Sequence, residues 1–295
     1  MSDRIVITGA GGLLGRTLVA AAGDRDVLAL TSAECDITDP AAVERRIGAD
    51  DVVINCAAYT KVDEAERDEA RAYAVNATGA GHVARACARV GARLIHVSTD
   101  YVFSGRFAGE PRPYEIDDET DPLSVYGRSK LAGELAVLAA APDAHVVRTS
   151  WIFGGDADFV AAIGKKAAGA DDVDVVADQI GGPTYVGDLA RALFGVASGA
   201  ISEPVLHVAN AGAASRYEQA KAVFELLGAD PERIRPVGTD RHPRPAPRPA
   251  YSVLSARRSI DAGVAPLRPW REALAAALAS GGPESGIDSP LPSTP

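Results

Sequence analysis

Short apolar runs alternate with amphipathic stretches through the first half of the chain. Ile5-Val6-Ile7-Thr8 is a β-branched strand, and the alanine- and leucine-rich stretch after it has helical spacing to about Ala22. Val27-Leu28-Ala29-Leu30 predicts a second strand, Ala41 to Ile47 a helix and Val52-Val53-Ile54-Asn55 a third strand. Ala70 to Val90 reads as helix, Leu94-Ile95-His96-Val97 as strand four, Tyr126 to Ala140 as helix and Val146-Val147-Arg148 as strand five. Strict alternation of this kind predicts an α/β fold, a Rossmann-type doubly wound parallel sheet covered on both faces, with ligands at the carboxyl edge of the strands.

Beyond strand five the pattern loosens. Phe159 to Ala168, Leu189 to Ala197, Tyr217 to Leu227 and Trp270 to Ala279 read as helices, and Val173 to Val176 and Val205 to Val208 as extended. Arg241 to Pro249 is almost entirely proline, arginine and alanine. Residues 1–150 are expected to form a dinucleotide-binding domain to which later segments return. Residues 151–279 are expected to form mainly a smaller C-terminal substrate-binding lobe, and the Gly-, Ser- and Pro-rich 280–295 a disordered tail.

The chemistry enters at the strand ends. Gly9, Gly12 and Gly15 lie between the first strand and its helix, with Leu13 and Leu14 among them, and Gly11 offers a second register. A strand, a glycine turn and a helix start make an anion cradle, so dinucleotide binding is expected here. The second strand ends in Thr31-Ser32, where many NAD-binding sheets carry an acid, so nothing repels a 2'-phosphate. Asp36 either reaches the adenine or caps the next helix.

Strand four delivers Ser98-Thr99-Asp100-Tyr101, and Tyr126 and Lys130 follow at helical spacing on one face. An ammonium beside a phenol lowers the phenol's pKa, and such a tyrosine can protonate a carbonyl oxygen while a hydride reaches the carbon. Thr99 could orient the same oxygen. On its own the pair is weak, since an interfacial tyrosine beside a solvated lysine is common. Its setting in the alternating pattern gives it weight.

Charge and composition narrow the classes. The chain has 295 residues, 47% hydrophobic and 24% charged, with a net charge of -10, which argues against nucleic acid as a partner. No apolar run is long enough for a membrane helix and no signal peptide is evident, so the expected location is cytoplasmic. Cys35, Cys56 and Cys87 form no C-x-x-C and the five histidines no ligand pair, so no metal site is expected. Nine arginines against two acids lie between Arg233 and Arg271. They are either surface ion pairs or a mouth for a phosphorylated substrate.

Several motifs occur in order: the glycine turn, Asn55-Cys56-Ala57-Ala58-Tyr59-Thr60, Val97-Ser98-Thr99-Asp100-Tyr101-Val102-Phe103, Tyr126 with Lys130, Arg148-Thr149-Ser150-Trp151 and Asp178-Gln179-Ile180-Gly181-Gly182-Pro183-Thr184. Together they resemble the dTDP-4-dehydrorhamnose reductase family of extended short-chain dehydrogenases, from about Ile5 to Ala279. The resemblance implies reduction of the 4-keto group of a dTDP-4-keto-6-deoxy sugar by NADPH or NADH. It implies Tyr126 as the acid, with Lys130 lowering its pKa and holding the ribose, and Thr99 tuning it. It implies Thr99, Asp100, Tyr101, Trp151 and Arg248 as substrate contacts. The dinucleotide would lie on the glycine turn, Thr31, Asp36, Ile37, Ala57, Ala58, Tyr59, Thr60 and Val97.

Related sugar-nucleotide dehydratases carry a glutamate where Tyr101 stands, so a simple reduction is implied. Some family members bridge a dimer through Mg2+ at an acid where this chain has Arg16-Thr17, so the metal is not supported and either a monomer or a homodimer is compatible. Ser124 replaces an asparagine two residues before Tyr126. Alternatives are a reductase for another dTDP-4-keto sugar, as in deoxysugar or dihydrostreptose formation, or a non-catalytic homologue such as a methionine adenosyltransferase regulatory subunit.

Overall fold

A computed structural model describes residues 4–199 and 201–280. The expected tail after Ser280 lies outside the described residues. Six parallel strands form the central sheet: β1 (Ile5–Thr8), β2 (Val27–Leu30), β3 (Val52–Asn55), β4 (Arg93–Thr99), β5 (His145–Thr149) and β6 (Val205–His207). Their order is β2-β1-β3-β4-β5-β6, which reverses direction between β1 and β3. A reversal of this kind opens a crevice at the carboxyl edge, and the glycine turn leaves β1 there.

Side-chain alternation explains why both faces are covered. Ile5 and Ile7 of β1, with Val52 and Ile54 of β3, point to one face, where they meet Leu14 and Leu18 of α1 (Leu13–Ala20). Val6 and Val53 point to the other, against Val83 and Cys87 of α2 (Ala80–Val90) and Val137 of α3 (Val125–Ala140). Leu189 and Leu193 of α4 (Val186–Ser198) complete the first face. Thus α4 and β6, both beyond residue 150, belong to the sheet layers.

A separate apolar cluster holds the smaller lobe, joining Phe153, Ile163, Phe224 of α5 (Arg216–Leu226), and Trp270 and Leu274 of α6 (Trp270–Ala279). Short strand pairs frame it, with 173–176 parallel to 234–237 and 180–181 antiparallel to 214–215. The stretch expected as one helix from Ala70 to Val90 is helical throughout, but 74–79 widens into a π-helical turn. There Asn76 turns inward. Its Nδ2 donates to Tyr59 O at 3.1 Å and to Ser129 Oγ at 2.9 Å, and its Oδ1 accepts from Tyr59 N at 2.8 Å.

Candidate active site

At the carboxyl edge of the sheet lies a cavity of about 860 Å³. The glycine turn forms one wall, and its geometry admits only glycine at two points. Gly9 has φ +69°, and a Cβ there would stand 2.6 Å from Ala57 N, while one on Gly15 would stand 2.3 Å from Gly9 O. Gly11 meets nothing closer than the Thr31 methyl at 3.8 Å and faces open space. No side chain caps α1 at Gly12, so its first amides, at Leu13 and Leu14, are left for an anion. This wall fits a dinucleotide's pyrophosphate, and it continues through Thr31, Asp36 and Ile37, then Ala57, Ala58, Tyr59 and Thr60, to Val97.

Of the two alternatives for Asp36, the helix cap is excluded. Asp39 caps the helix Pro40–Glu44 by accepting from Ala41 N at 2.9 Å, whereas Asp36 lines the cavity and accepts from Thr38 N and Oγ1 at 2.9 and 2.7 Å. The Thr38 donors hold its carboxyl below the ordinary range. Strand β2 runs into Thr31-Ser32 as read, and an acid three residues on comes back to Thr31. Glu34 folds back so that its carboxylate accepts from Thr31 N and Oγ1, both at 2.8 Å.

Opposite the glycine wall the catalytic candidates converge. Thr99 ends β4 beside the Tyr126 hydroxyl, and its own hydroxyl donates to Asp100 Oδ1 at 3.1 Å. Asp100 is buried, and its Oδ2 accepts from Ser150 at 2.9 Å and Ser252 at 2.6 Å. Burial raises its pKa against the pull of those three hydroxyls. The Tyr101 ring meets the Tyr126 ring edge-on at 5.7 Å.

Ser124 caps the start of α3 by accepting from Gly127 N at 3.1 Å, so the residue that departs from the family pattern has a structural role beside Tyr126. One helical turn on from Tyr126, Lys130 donates to Val97 O at 2.7 Å. The expected depression of the Tyr126 pKa by Lys130 is not found. Burial pushes the phenol well up, with Thr99 opposing, and burial lowers Lys130 itself to about 8, with Glu134 opposing. Desolvation outweighs the mutual effect of the two groups.

A family model described as the RmlD substrate binding domain matches residues 3–281. The chain belongs to that family. It is 63% identical to a dTDP-4-dehydrorhamnose reductase of Mycobacterium tuberculosis, over 99% of this chain and 98% of the relative. It is 60% identical to the one from Mycolicibacterium smegmatis, over 100% of this chain and 90% of the relative. The crystal structure of dTDP-4-dehydrorhamnose reductase from Bacillus anthracis in complex with NADP superposes with a TM-score of 0.87 at 35% identity, covering 95% of this chain and 99% of that one.

In this RmlD-family chain every site residue expected from the sequence lines the cavity except Arg248. Arg248 closes its fork on both oxygens of Asp63 and donates to Ala246 O, and it reaches the Tyr101 hydroxyl from outside the cavity. The arginine-rich stretch is largely tied down on the surface. Arg233 donates to the Lys166, Ala167 and Asp171 carbonyls, while Arg235 pairs with Asp172, Arg257 with Glu115, Arg268 with Asp188 and Arg271 with Glu225. Of the two explanations weighed for it, ion pairing accounts for these residues.

Trp151 lies where β5 leaves the sheet, at a left-handed φ of 43°. Its indole is pressed on Gly181, where a Cβ would stand 2.3 Å from the ring. Two residues of this RmlD-family site went unread in the sequence. Asn76 sits inside an apolar helical stretch, where a buried asparagine was the available signal. Arg216 at the start of α5 carried no local signal at all.

Among the described residues no group of three or more His, Cys, Asp or Glu could hold a metal ion, and no helix is long and apolar enough to cross a membrane.

Proposed function

We propose that this protein is a dTDP-4-dehydrorhamnose reductase that reduces the 4-keto group of dTDP-4-dehydro-L-rhamnose with NADPH or NADH in the cytoplasm. The observation that carries the reading is the meeting of Thr99, Tyr126 and Lys130 opposite a glycine wall shaped for a pyrophosphate, in a chain 63% identical to a reductase of that name. When bound, the reduced nicotinamide supplies the hydride.

The protein's own groups handle the proton. A reduction needs Tyr126 to arrive protonated, and the raised pKa of the buried phenol ensures it. The phenol gives its proton to the developing alkoxide, while Lys130, one turn along the same face of α3 and tied to Val97 O, is placed to hold the nicotinamide ribose. Thr99 holds the Tyr126 hydroxyl in line. Asp100, with both oxygens engaged by hydroxyls, serves to fix Thr99 and has little capacity left to contact a sugar. Asp36 and Asp100 are the only carboxylates on the cavity lining among the described residues, and neither is free to take a proton from a sugar ring. Simple reduction therefore fits better than elimination.

The lobe built on 153, 163, 224 and 270 closes the far side of the cleft through Trp151 and grips the sugar nucleotide. The test is NADPH consumption with a panel of dTDP-4-keto sugars. The L-rhamnose precursor is expected to be preferred, and Tyr126→Phe to lose about 10²- to 10⁴-fold in kcat. A Tyr126→Phe enzyme with undiminished turnover would remove the acid from this account, and preference for another epimer would change the sugar.

A further inference from the structure

Arg216 opens α5 with its guanidinium carbon 3.5 Å from the centre of the Trp151 ring and 4.9 Å from that of Phe159. It lines the cavity beside Trp151, Asp100 and Tyr101. Among the described residues its one hydrogen bond runs to Gln219 Oε1 at 3.2 Å, and it forms no salt bridge. Asp100 is near enough to attract it, yet that carboxyl already takes hydrogen bonds from Thr99, Ser150 and Ser252. Burial lowers the Arg216 pKa only to about 10, so the charge persists at neutral pH. Asp158 also attracts it, but that carboxylate is taken up by the amides of Gly154, Gly155 and Ala161, so a half-buried guanidinium is left without a paired carboxylate, which is costly and needs a reason. The strained backbone of Trp151, its indole laid on Gly181, holds a flat ring against Arg216 at the edge of the cleft.

Among the described residues on the lining, three carry cations: Arg71, Lys130 and Arg216. Lys130 is committed to Val97 O, and Arg71 stands by Asp36 at the glycine-turn end of the cavity. Only Arg216 lies on the Trp151 side. Arg248 is close enough to repel it, but its fork is closed on Asp63. Resting on the functional reading above, we propose that Arg216 is the diphosphate anchor of the nucleotide-sugar substrate, its planar fork held open by Trp151 until two phosphate oxygens close it. The phosphate role suggested by the arginine-rich stretch thereby falls to a residue outside it.

The experiment titrates dTDP and thymidine into NADPH-saturated enzyme, comparing wild type with Arg216→Gln and with Arg216→Met, which keeps an apolar stem against Trp151. Both variants should lose about 10- to 100-fold in dTDP affinity, as expected for a charge-assisted bidentate contact, with thymidine and NADPH affinities unchanged. The salt dependence of dTDP binding should also flatten. Wild-type dTDP affinity in either variant overturns the proposal, and so does an equal loss for dTDP and thymidine, which marks a packing role. A wild-type enzyme that neither binds dTDP nor reduces dTDP-4-keto sugars defeats the functional reading itself. An active wild type whose variants keep their dTDP affinity defeats only the role of Arg216.

Discussion

Lys130 must carry a charge in a place that opposes charge. Its pKa is about 8 in the native state against an ordinary 10.5, so the folded protein binds fewer protons than the unfolded chain between those values and stability rises with pH across that window. Below pH 8 the buried ammonium costs the fold on the order of 3 kcal/mol. Lys130→Met is expected to abolish turnover yet raise the melting temperature at pH 7; a variant that melts lower would show that the bond to Val97 outweighs desolvation. Wild-type kcat/KM is expected to fall as pH rises through about 8, where the ammonium of the free enzyme is lost, and a profile flat to pH 10 would contradict it.

Glu34 bears on the coenzyme. Its carboxylate lies 2.8 Å from the backbone and hydroxyl of Thr31, a residue of the cavity lining, so Glu34→Gln should shift the NADPH:NADH ratio of kcat/KM toward NADPH by up to about fivefold, the worth of one exposed charge. Tyr126, Lys130 and Thr99 were legible because their relation is local: a strand end and a four-residue step on one helix. The direction of the Tyr126 pKa was not, because burial is set by elements distant in sequence. Arg216 and Glu34 escaped for the same reason, since each acquires meaning only through what folds beside it.

The elements were read closely wherever one stretch decides its own state. Ser215 and Glu218 cap each other reciprocally and start α5 at Arg216, one residue before the expected Tyr217. The wide turn at 74–79 was not visible, because it answers to contacts from elsewhere. A Cβ on Gly133 of α3 would stand 2.1 Å from Asn76 O, and one on Gly127 would stand 2.3 Å from Tyr101 O. Two glycines on one helix thus let α3 press against both the turn and the end of β4. Gly133→Ala is expected to cost about 1–3 kcal/mol in denaturant unfolding through overpacking and to weaken NADPH binding, because Asn76 anchors the Tyr59 loop. Unchanged stability would mean that the helix can withdraw without loss.

At the scale of the molecule, the alternation that announced a parallel sheet was plain in β1 to β5, each a short run with both faces apolar. The last strand and its covering helix were harder to place, since 189–197 and 205–208 read as ordinary elements with nothing to say which layer they join. Leu189 and Leu193 lie on the same core as Ile5 and Ile7, and Leu206 pairs beside Val147. A fragment ending at residue 150 is therefore expected to show neither cooperative melting nor NADPH binding, whereas a cooperative transition in circular dichroism would show the first five strands to be self-sufficient.

The same late closure sets a timetable for synthesis. A nascent chain leaving the ribosome carries β1, β3 and α3 long before α4 and β6 emerge to complete the sheet layers. Until then a greasy sheet face and the unpaired rim of β5 stand open to water and to neighbouring nascent chains, so this interval is when holding chaperones have most to protect.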